Sequence, residues 1–193
     1  MEQKTGLRIG KVVFGSPLLL SLRFETTPPS FSIIPGGSAV GSLGHGPVLS
    51  SHRSPDERFE VDGANAARQF LSAHKVPEEQ IQIAWEAIAL HTTPGVTQHM
   101  RPEVALLYSG VGLDVLGKGF DKFPSELREK IVARYPRKHF KEGFIQEYFA
   151  GFAHKPGTTY CTVKASICER LIPGYKAPDA CDVIAASPFP DSE

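Results

Sequence analysis

Two histidines and one aspartate have the residue types and spacing that metal or acid–base chemistry requires: His91, His99 and Asp114. Asp114 follows Leu107 by seven residues and Val111 by three, so a helix places it on the same stripe as these apolar side chains. A carboxylate buried there needs a partner, which is a metal, a base or a set of backbone donors. By this argument alone, a ligand aspartate and a salt-bridged structural aspartate are equally consistent with the sequence.

The two histidines extend the same candidate site. His91 ends a predicted helix three residues after Ile88, so it points inward, either as a proton-transfer or substrate group or as a satisfied core residue near the helix C-terminus. His99 lies in the following loop and can reach either neighbouring helix. Imidazole and carboxylate groups are ligands that zinc, manganese and iron accept. We therefore take His91 as the candidate catalytic residue, and Asp114 and His99 as candidate metal ligands.

Other patterns carry less chemistry. The run Gly110-Val111-Gly112 begins a G-x-G motif, but Val115 stands at the third glycine and no strand precedes the run, which argues against a dinucleotide site. Cys161 and Cys168 are seven residues apart, so we expect two buried thiols on one helical face. Cys181 is too far along the chain to complete a zinc pattern.

The elements that would position these residues begin after Ser54, where an apolar helical period appears. Ser54-Pro55-Asp56-Glu57 resembles a helix start, with a capping residue, a proline and an acid. We predict helices over 61–74, 77–90, from 102 onward, over 125–135, over 138–153, and a last one carrying Val163, Ile167 and Leu171. No alternation of period two is long enough for a strand. The sequence thus predicts an all-α bundle over residues 55–172 and a loop-like tail over residues 173–193.

Residues 1–54 have a different composition, with eight of the 18 glycines, five of the 16 prolines, nine serines and only two acids. Glycine and proline at this density break helices and interrupt sheets, so we predict a mostly irregular, low-order leader. A targeting peptide is the alternative, because basic residues precede an apolar stretch. Gly15 and Pro17 interrupt that stretch and no small-residue cleavage site follows it.

The overall composition excludes several classes of function. The 193 residues contain 21 basic and 21 acidic side chains, so a strongly cationic nucleic-acid binder is not expected. No apolar run is long enough to cross a bilayer. Three cysteines do not form a disulfide framework. We expect a cytoplasmic protein with a small-molecule substrate, no nucleic-acid or membrane partner, and homo-oligomerisation as an open possibility.

Four blocks of sequence, at residues 58–68, 85–92, 101–105 and 112–117, resemble the HD-domain metal-dependent phosphohydrolase superfamily, in particular its cyanamide hydratase-like branch. The resemblance covers residues 52–187. It implies a helical bundle in which a histidine, a His-Asp pair and a distant aspartate hold one or two divalent metals. Asp114 matches the distant aspartate, and His91 matches a histidine that in some branches faces the site.

The chain departs from that family at the first half of the metal centre. No histidine is followed by aspartate anywhere, and the leader stands where the first histidine and the His-Asp pair are expected. The chain therefore resembles the C-terminal part of an HD protein joined to an unrelated leader, as in a truncated gene product. One hypothesis is a metal-dependent hydrolase or hydratase, impaired in this chain, in which metal-bound water attacks a phosphorylated or nitrile-like substrate. The alternative is a catalytically inactive helical remnant that acts as a protein-binding module.

Overall fold

Four short strands precede the helical region. The computed structural model describes residues 54–134, 136–137 and 139–188, together with the backbone of these strands. They are antiparallel neighbours in chain order: β1 Val13–Gly15, β2 Leu19–Leu22, β3 Phe31–Ile34 and β4 Ser38–Gly41. These strands contain 15 residues of the leader that we predicted to be mostly irregular, and the rest of residues 1–53 lies outside the described residues.

From residue 54 to residue 188 the described chain is helical, which confirms the prediction of an all-α fold. Its seven α-helices are α1 Phe59–Ala73, α2 Glu78–Leu90, α3 Pro102–Leu116, α4 Ser125–Arg134, α5 Phe140–Ala150, α6 Ala165–Leu171 and α7 Ala180–Ala185. Single 3-10 turns lie at Thr97–His99, Phe120–Lys122 and Pro156–Thr159. None of these helices is long and apolar enough to cross a membrane.

Two predictions near the C-terminus are wrong: the start of the last predicted helix and the loop structure of the tail. Helix α6 begins only at Ala165, so Cys161 precedes it and is exposed, whereas Cys168 lies inside it and is buried as expected. The tail that was predicted as loop contains α7. Asp179 caps α7 by accepting a hydrogen bond from the Cys181 backbone N–H at 2.8 Å, the local side-chain cap that starts a short helix.

The first part of the core lies between α1, α2 and α3. The apolar periods of α1 and α2 place Ala64, Ala67, Leu71, Ile81 and Ile88 in the core, where they are buried, and Phe70 and Trp85 at its edge, where they are half-buried. Helix α3 adds Val104 and Leu107, which pack against Ala87 of α2. The three- and four-residue spacing of these side chains places them on one face of each helix, and that is why the sequence predicted them.

A second, aromatic part of the core joins α1 to α5 and α6. The Phe59 ring meets Tyr148 and Phe152 edge to face, with ring centroids 5.5 and 6.1 Å apart. Cys168 of α6 is buried in the same cluster. Gly151 ends α5 directly against Phe59, and any Cβ at this position would overlap the Phe59 ring. A glycine is therefore required here for close approach.

Helix α4 carries the apolar residues Leu127, Ile131 and Val132 at helical spacing, but it buries little of this face. Leu127 and Val132 are 48% and 42% exposed, and only Ile131 is partly buried. At the start of α4, Arg128 donates to the carbonyls of Phe120 and Phe123 and stacks over the Phe120 ring. Val163, expected on the last helix, lies outside α6 and is 50% exposed.

The glycine at the end of α5 allows a paired test of this packing. We expect Gly151→Ala to lower the free energy of unfolding by about 1–3 kcal/mol, because the new methyl group forces Phe59 out of place. Gly143→Ala in the same helix is the matched control. Its Cβ meets no atom within 4 Å, so it should raise stability by about 0.5–1 kcal/mol. Urea denaturation measures both, and equal effects of the two variants would contradict the packing.

Candidate functional site

Asp114 has a protein partner. One guanidinium nitrogen of Arg137 donates to the Asp114 carboxylate, and the other donates to the Asp114 backbone carbonyl at 2.8 Å. The Arg137 guanidinium also lies over the Phe140 ring, 3.7 Å from its centroid. Both side chains of the ion pair are about 30% exposed. The sequence allowed a metal, a basic side chain or backbone donors as the partner of Asp114. The structure shows a basic side chain, Arg137, which lies 23 residues further along the chain.

The two histidines lie in different environments. His99 ends the 3-10 turn Thr97–His99 and is exposed. His91 is buried at the C-terminal end of α2, as predicted, and its Nδ1 lies 2.6 Å from the Ile88 carbonyl oxygen. Within the described part of the chain, no three His, Cys, Asp or Glu side chains converge as a metal site.

His91 belongs to a buried polar group that we call the Glu60 cluster: Arg58, Glu60, His91, Thr92, Tyr148 and Lys164. At its centre, Glu60 accepts hydrogen bonds from the Lys164 ammonium and from the Thr92 hydroxyl through one carboxylate oxygen. The Glu60 and Lys164 side chains are both 0% exposed. The second carboxylate oxygen lies 3.7 Å from Arg58 Nε. The cluster thus links α1, the end of α2, α5 and the residue before α6.

Burial and charge act in opposite directions on the cluster. Burial alone would raise the pKa of Glu60, but the charge and hydrogen bond of Lys164, with the Thr92 hydroxyl, bring it below its usual value. The carboxylate is therefore ionised beside the ammonium. Burial raises the pKa of Tyr148, and the negative charge of Glu60 raises it further. The Tyr148 hydroxyl consequently stays protonated.

His91 has the chemistry of a neutral base. Because a carbonyl oxygen can only accept, the Nδ1 atom of His91 must carry the proton in its contact with Ile88, and this leaves the lone pair on Nε2. The contact with Ile88 and the charge of Glu60 would raise the pKa of His91. Burial has the larger effect, so the pKa is lower than the usual value. A neutral imidazole of fixed tautomer can accept a proton or bind a metal. The structure brings this base together with Glu60 and Lys164.

The sequence carried a signal for Glu60 that our reasoning missed. Glu60 precedes Ala64 by four residues and Ala67 by seven, so it lies on the apolar stripe of α1, by the same argument that singled out Asp114. Lys164 precedes the buried Cys168 by four residues in the same way. A charged residue on an apolar stripe indicates a buried partner, but only the fold shows which residue that partner is.

A second buried lysine, Lys155, also binds a carboxylate of α1. The Lys155 ammonium contacts the Asp62 carboxylate and donates to the Ser54 carbonyl at 3.2 Å. The Ser54 hydroxyl donates to the other Asp62 oxygen at 2.7 Å. The Lys155 side chain is 1% exposed. Helix α1 therefore uses two carboxylates, two residues apart, to bind lysines from the C-terminal third of the chain.

Comparison with known protein families, with characterised proteins and with solved structures finds no match for this chain. The HD-domain resemblance therefore stays a hypothesis based on the four sequence blocks.

The buried ion pair predicts a large effect on stability. Lys164→Met leaves the Glu60 carboxylate buried without its main partner and should lower the free energy of unfolding by about 3–5 kcal/mol. Adding Glu60→Gln to this variant should recover part of the loss, because the uncompensated charge is then removed. Lys130→Met is the control, since the Lys130–Glu126 pair is exposed and should change stability by less than about 1 kcal/mol. A Lys164→Met loss no larger than that of the control would contradict the buried pair.

The environment of His91 predicts a dependence of stability on pH. The pKa of His91 is lower in the folded chain than the ordinary value of 6.5, so the unfolded chain takes up the proton first. Stability should be full above about pH 6.5 and fall below it by at most about 1.4 kcal/mol per pH unit. The new cation would face Lys164 and Arg58 as well as Glu60.

The slope should be measured by urea denaturation between pH 7.5 and pH 5.5, above the range in which Glu60 titrates. His91→Gln should flatten the slope. His154→Gln, at an exposed histidine, is the control and should keep the wild-type slope. A variant at His91 with an unchanged slope would show that another group causes it.

Proposed function

We propose that this chain is a helical module of the HD-domain hydrolase or hydratase type in which metal-dependent activity is lost. The observation that supports the proposal is the double contact of Arg137 with Asp114. Asp114 is the position that matches the family's distant aspartate. In this chain its carboxylate is neutralised by a guanidinium, which remains charged at any physiological pH.

The geometry of Arg137 explains why a metal is a poor competitor for Asp114. The guanidinium is fixed at three points, by the carboxylate, by the backbone carbonyl and by the Phe140 ring. Metal binding would have to break these contacts and move a cation away from the site. Two further ligands would then have to arrive, since zinc sites generally use about three protein ligands. The exposed His99 alone does not supply them.

His91 supports the hydrolase ancestry in this proposal. Its buried, neutral imidazole has the protonation state that a proton-transfer group needs near neutral pH. In a related chain with a complete metal centre, this residue would accept or deliver a proton at Nε2. In the present chain the same imidazole contacts the Ile88 carbonyl and lies within electrostatic reach of Glu60 and Lys164.

A protein-binding module is the second candidate, favoured by exposed apolar side chains. Leu116, at the end of α3, is 67% exposed, and Phe120 and Leu127 are each 48% exposed. They follow one another through the end of α3, the turn Phe120–Lys122 and α4. A contiguous exposed apolar patch is typical of interaction surfaces, and the second candidate assumes that these three side chains form one.

Metal analysis tests the proposed loss of activity. After exposure to zinc or manganese and extensive dialysis, the full chain should hold little metal and should not hydrolyse a phosphomonoester or hydrate cyanamide. Asp114→Asn should leave that metal content unchanged and lower the free energy of unfolding by about 0.2–1 kcal/mol, as expected for a partly exposed ion pair. Asp121→Asn, at an exposed acid, is the control. About one tightly held metal per chain that is lost in Asp114→Asn would contradict the proposal.

A gain-of-function form separates the two candidates. Two helices that carry a histidine and a His-Asp pair, fused ahead of Arg58, should restore metal binding if the module is of the HD type. Combining the fusion with Arg137→Ala should increase its metal content, because Asp114 is freed. Combining it with Asp114→Asn should abolish the gain. A fused chain that binds no metal in any combination would instead favour the protein-binding candidate.

A further inference from the structure

The sheet of the four strands, which we call the leader sheet, has one apolar face. One row of paired positions crosses it: Phe14, Leu20, Ile33 and Ala39. Successive positions of a strand alternate between the two faces of a sheet. Leu22 and Phe31, each two positions from this row, therefore belong to the same face. Apart from Gly41, every position of this face is apolar.

The opposite face of the leader sheet is mixed. Serine occupies three of its positions, Ser21, Ser32 and Ser38, and the first two are paired on the two central strands. An antiparallel sheet commonly turns such a face to water and packs the apolar one. Because a sheet of strands this short is stable only when its apolar face is packed, the leader sheet requires another element to cover that face.

Two helices lie beside the edges of the leader sheet. Cα atoms of α4 and β1 come within 8 Å of each other, and so do Cα atoms of α1 and β4. Strands β1 and β4 are the two edge strands. Over its described range α1 leaves no large apolar side chain exposed, whereas α4 leaves two, Leu127 and Val132. Of the two helices, α4 therefore offers apolar surface to the sheet.

The apolar surface of α4 matches the leader sheet in extent. Leu127 and Ile131 are four residues apart and share one face of the helix, and Val132 borders it. Leu127 and Val132 are 48% and 42% exposed. The ten residues of α4 make a helix about 15 Å long. The sheet is about 14 Å across its strands and about 13 Å along its longer strands, so α4 spans it in either direction.

We propose that the leader sheet packs its apolar face on Leu127, Ile131 and Val132 of α4. Strand β1 lies next to α4, so the two surfaces start close together. Both belong to one chain, so their association gains from an effective concentration that a separate partner lacks. Packing removes apolar surface of both elements from water. The inference is independent of the proposed loss of metal chemistry, and it gives part of the surface in the second candidate an occupant within the chain.

The test uses the full chain with Cys161→Ser and Cys181→Ser, which leaves Cys168 as a buried thiol. Leu127→Cys then adds a reporter thiol on the docking surface, and Glu129→Cys adds a matched control on the other side of α4. Each rate of alkylation by iodoacetamide is divided by the rate in the denatured chain. The thiol from Leu127→Cys should react about tenfold more slowly than the control, because it reacts only when the sheet moves away. Equal rates would mean that the surface is open and would contradict the proposal.

Two strand variants identify the face of the sheet. Ile33→Asp places a charge on the apolar face and should remove the protection of the thiol from Leu127→Cys. Ser32→Asp, one position away on the opposite face, should keep that protection. Protection that survives Ile33→Asp would show that another segment covers α4.

A cross-link gives a second measurement that does not depend on the folding of the Ile33→Asp variant. Leu20→Cys combined with Leu127→Cys, in the same background, should be joined within one chain by a short bismaleimide. Ser21→Cys combined with Leu127→Cys should not be joined, since position 21 lies on the opposite face of the sheet. A link between two copies of the chain, or equal linking from positions 20 and 21, would overturn the inference.

Discussion

The arrangement of the helices depends on one buried ion pair, between Glu60 and Lys164. Both side chains are removed from water, so each charge is tolerable only while the other is present. The pair forms where α1, the end of α2, α5 and α6 meet, beside the aromatic contacts of Phe59. Any arrangement that buried one of these charges without the other would be strongly unfavourable, so the pair disfavours alternative contacts between α1 and the start of α6.

The Asp114–Arg137 pair shows the same chemistry with a different consequence. It is about 30% exposed, so water shares in the solvation of both groups and the pair adds little to stability. In the proposed loss of metal-dependent activity, this pair matters because Arg137 occupies the carboxylate that a metal would need. An arginine thus satisfies the charge of an aspartate without providing the open coordination position of a metal.

The sequence predicted those parts of the molecule that depend on local spacing. Helices α1, α2, α3 and α5 carry apolar residues at intervals of three and four, and these residues are buried or half-buried. Leu127 shows the same spacing in α4 and is exposed, because periodicity states which residues share a face and not whether another element covers that face. In the same way, a helical stripe predicted a partner for Asp114 but could not identify Arg137. Glu60 and Lys164 are 104 positions apart, and only the assembled fold brings such residues together.

The two lysine contacts of α1 also determine when the molecule can fold during synthesis. Glu60 and Asp62 find their partners 104 and 93 positions later, at Lys164 and Lys155. While the ribosome is still translating that last third, α1 carries two carboxylates whose cations do not yet exist, so burying its inner face is unfavourable. The nascent chain therefore exposes the apolar surface of α1 until Lys155 and Lys164 have been translated. That interval, rather than the lifetime of the finished fold, is when chaperones and proteases have the most access to it.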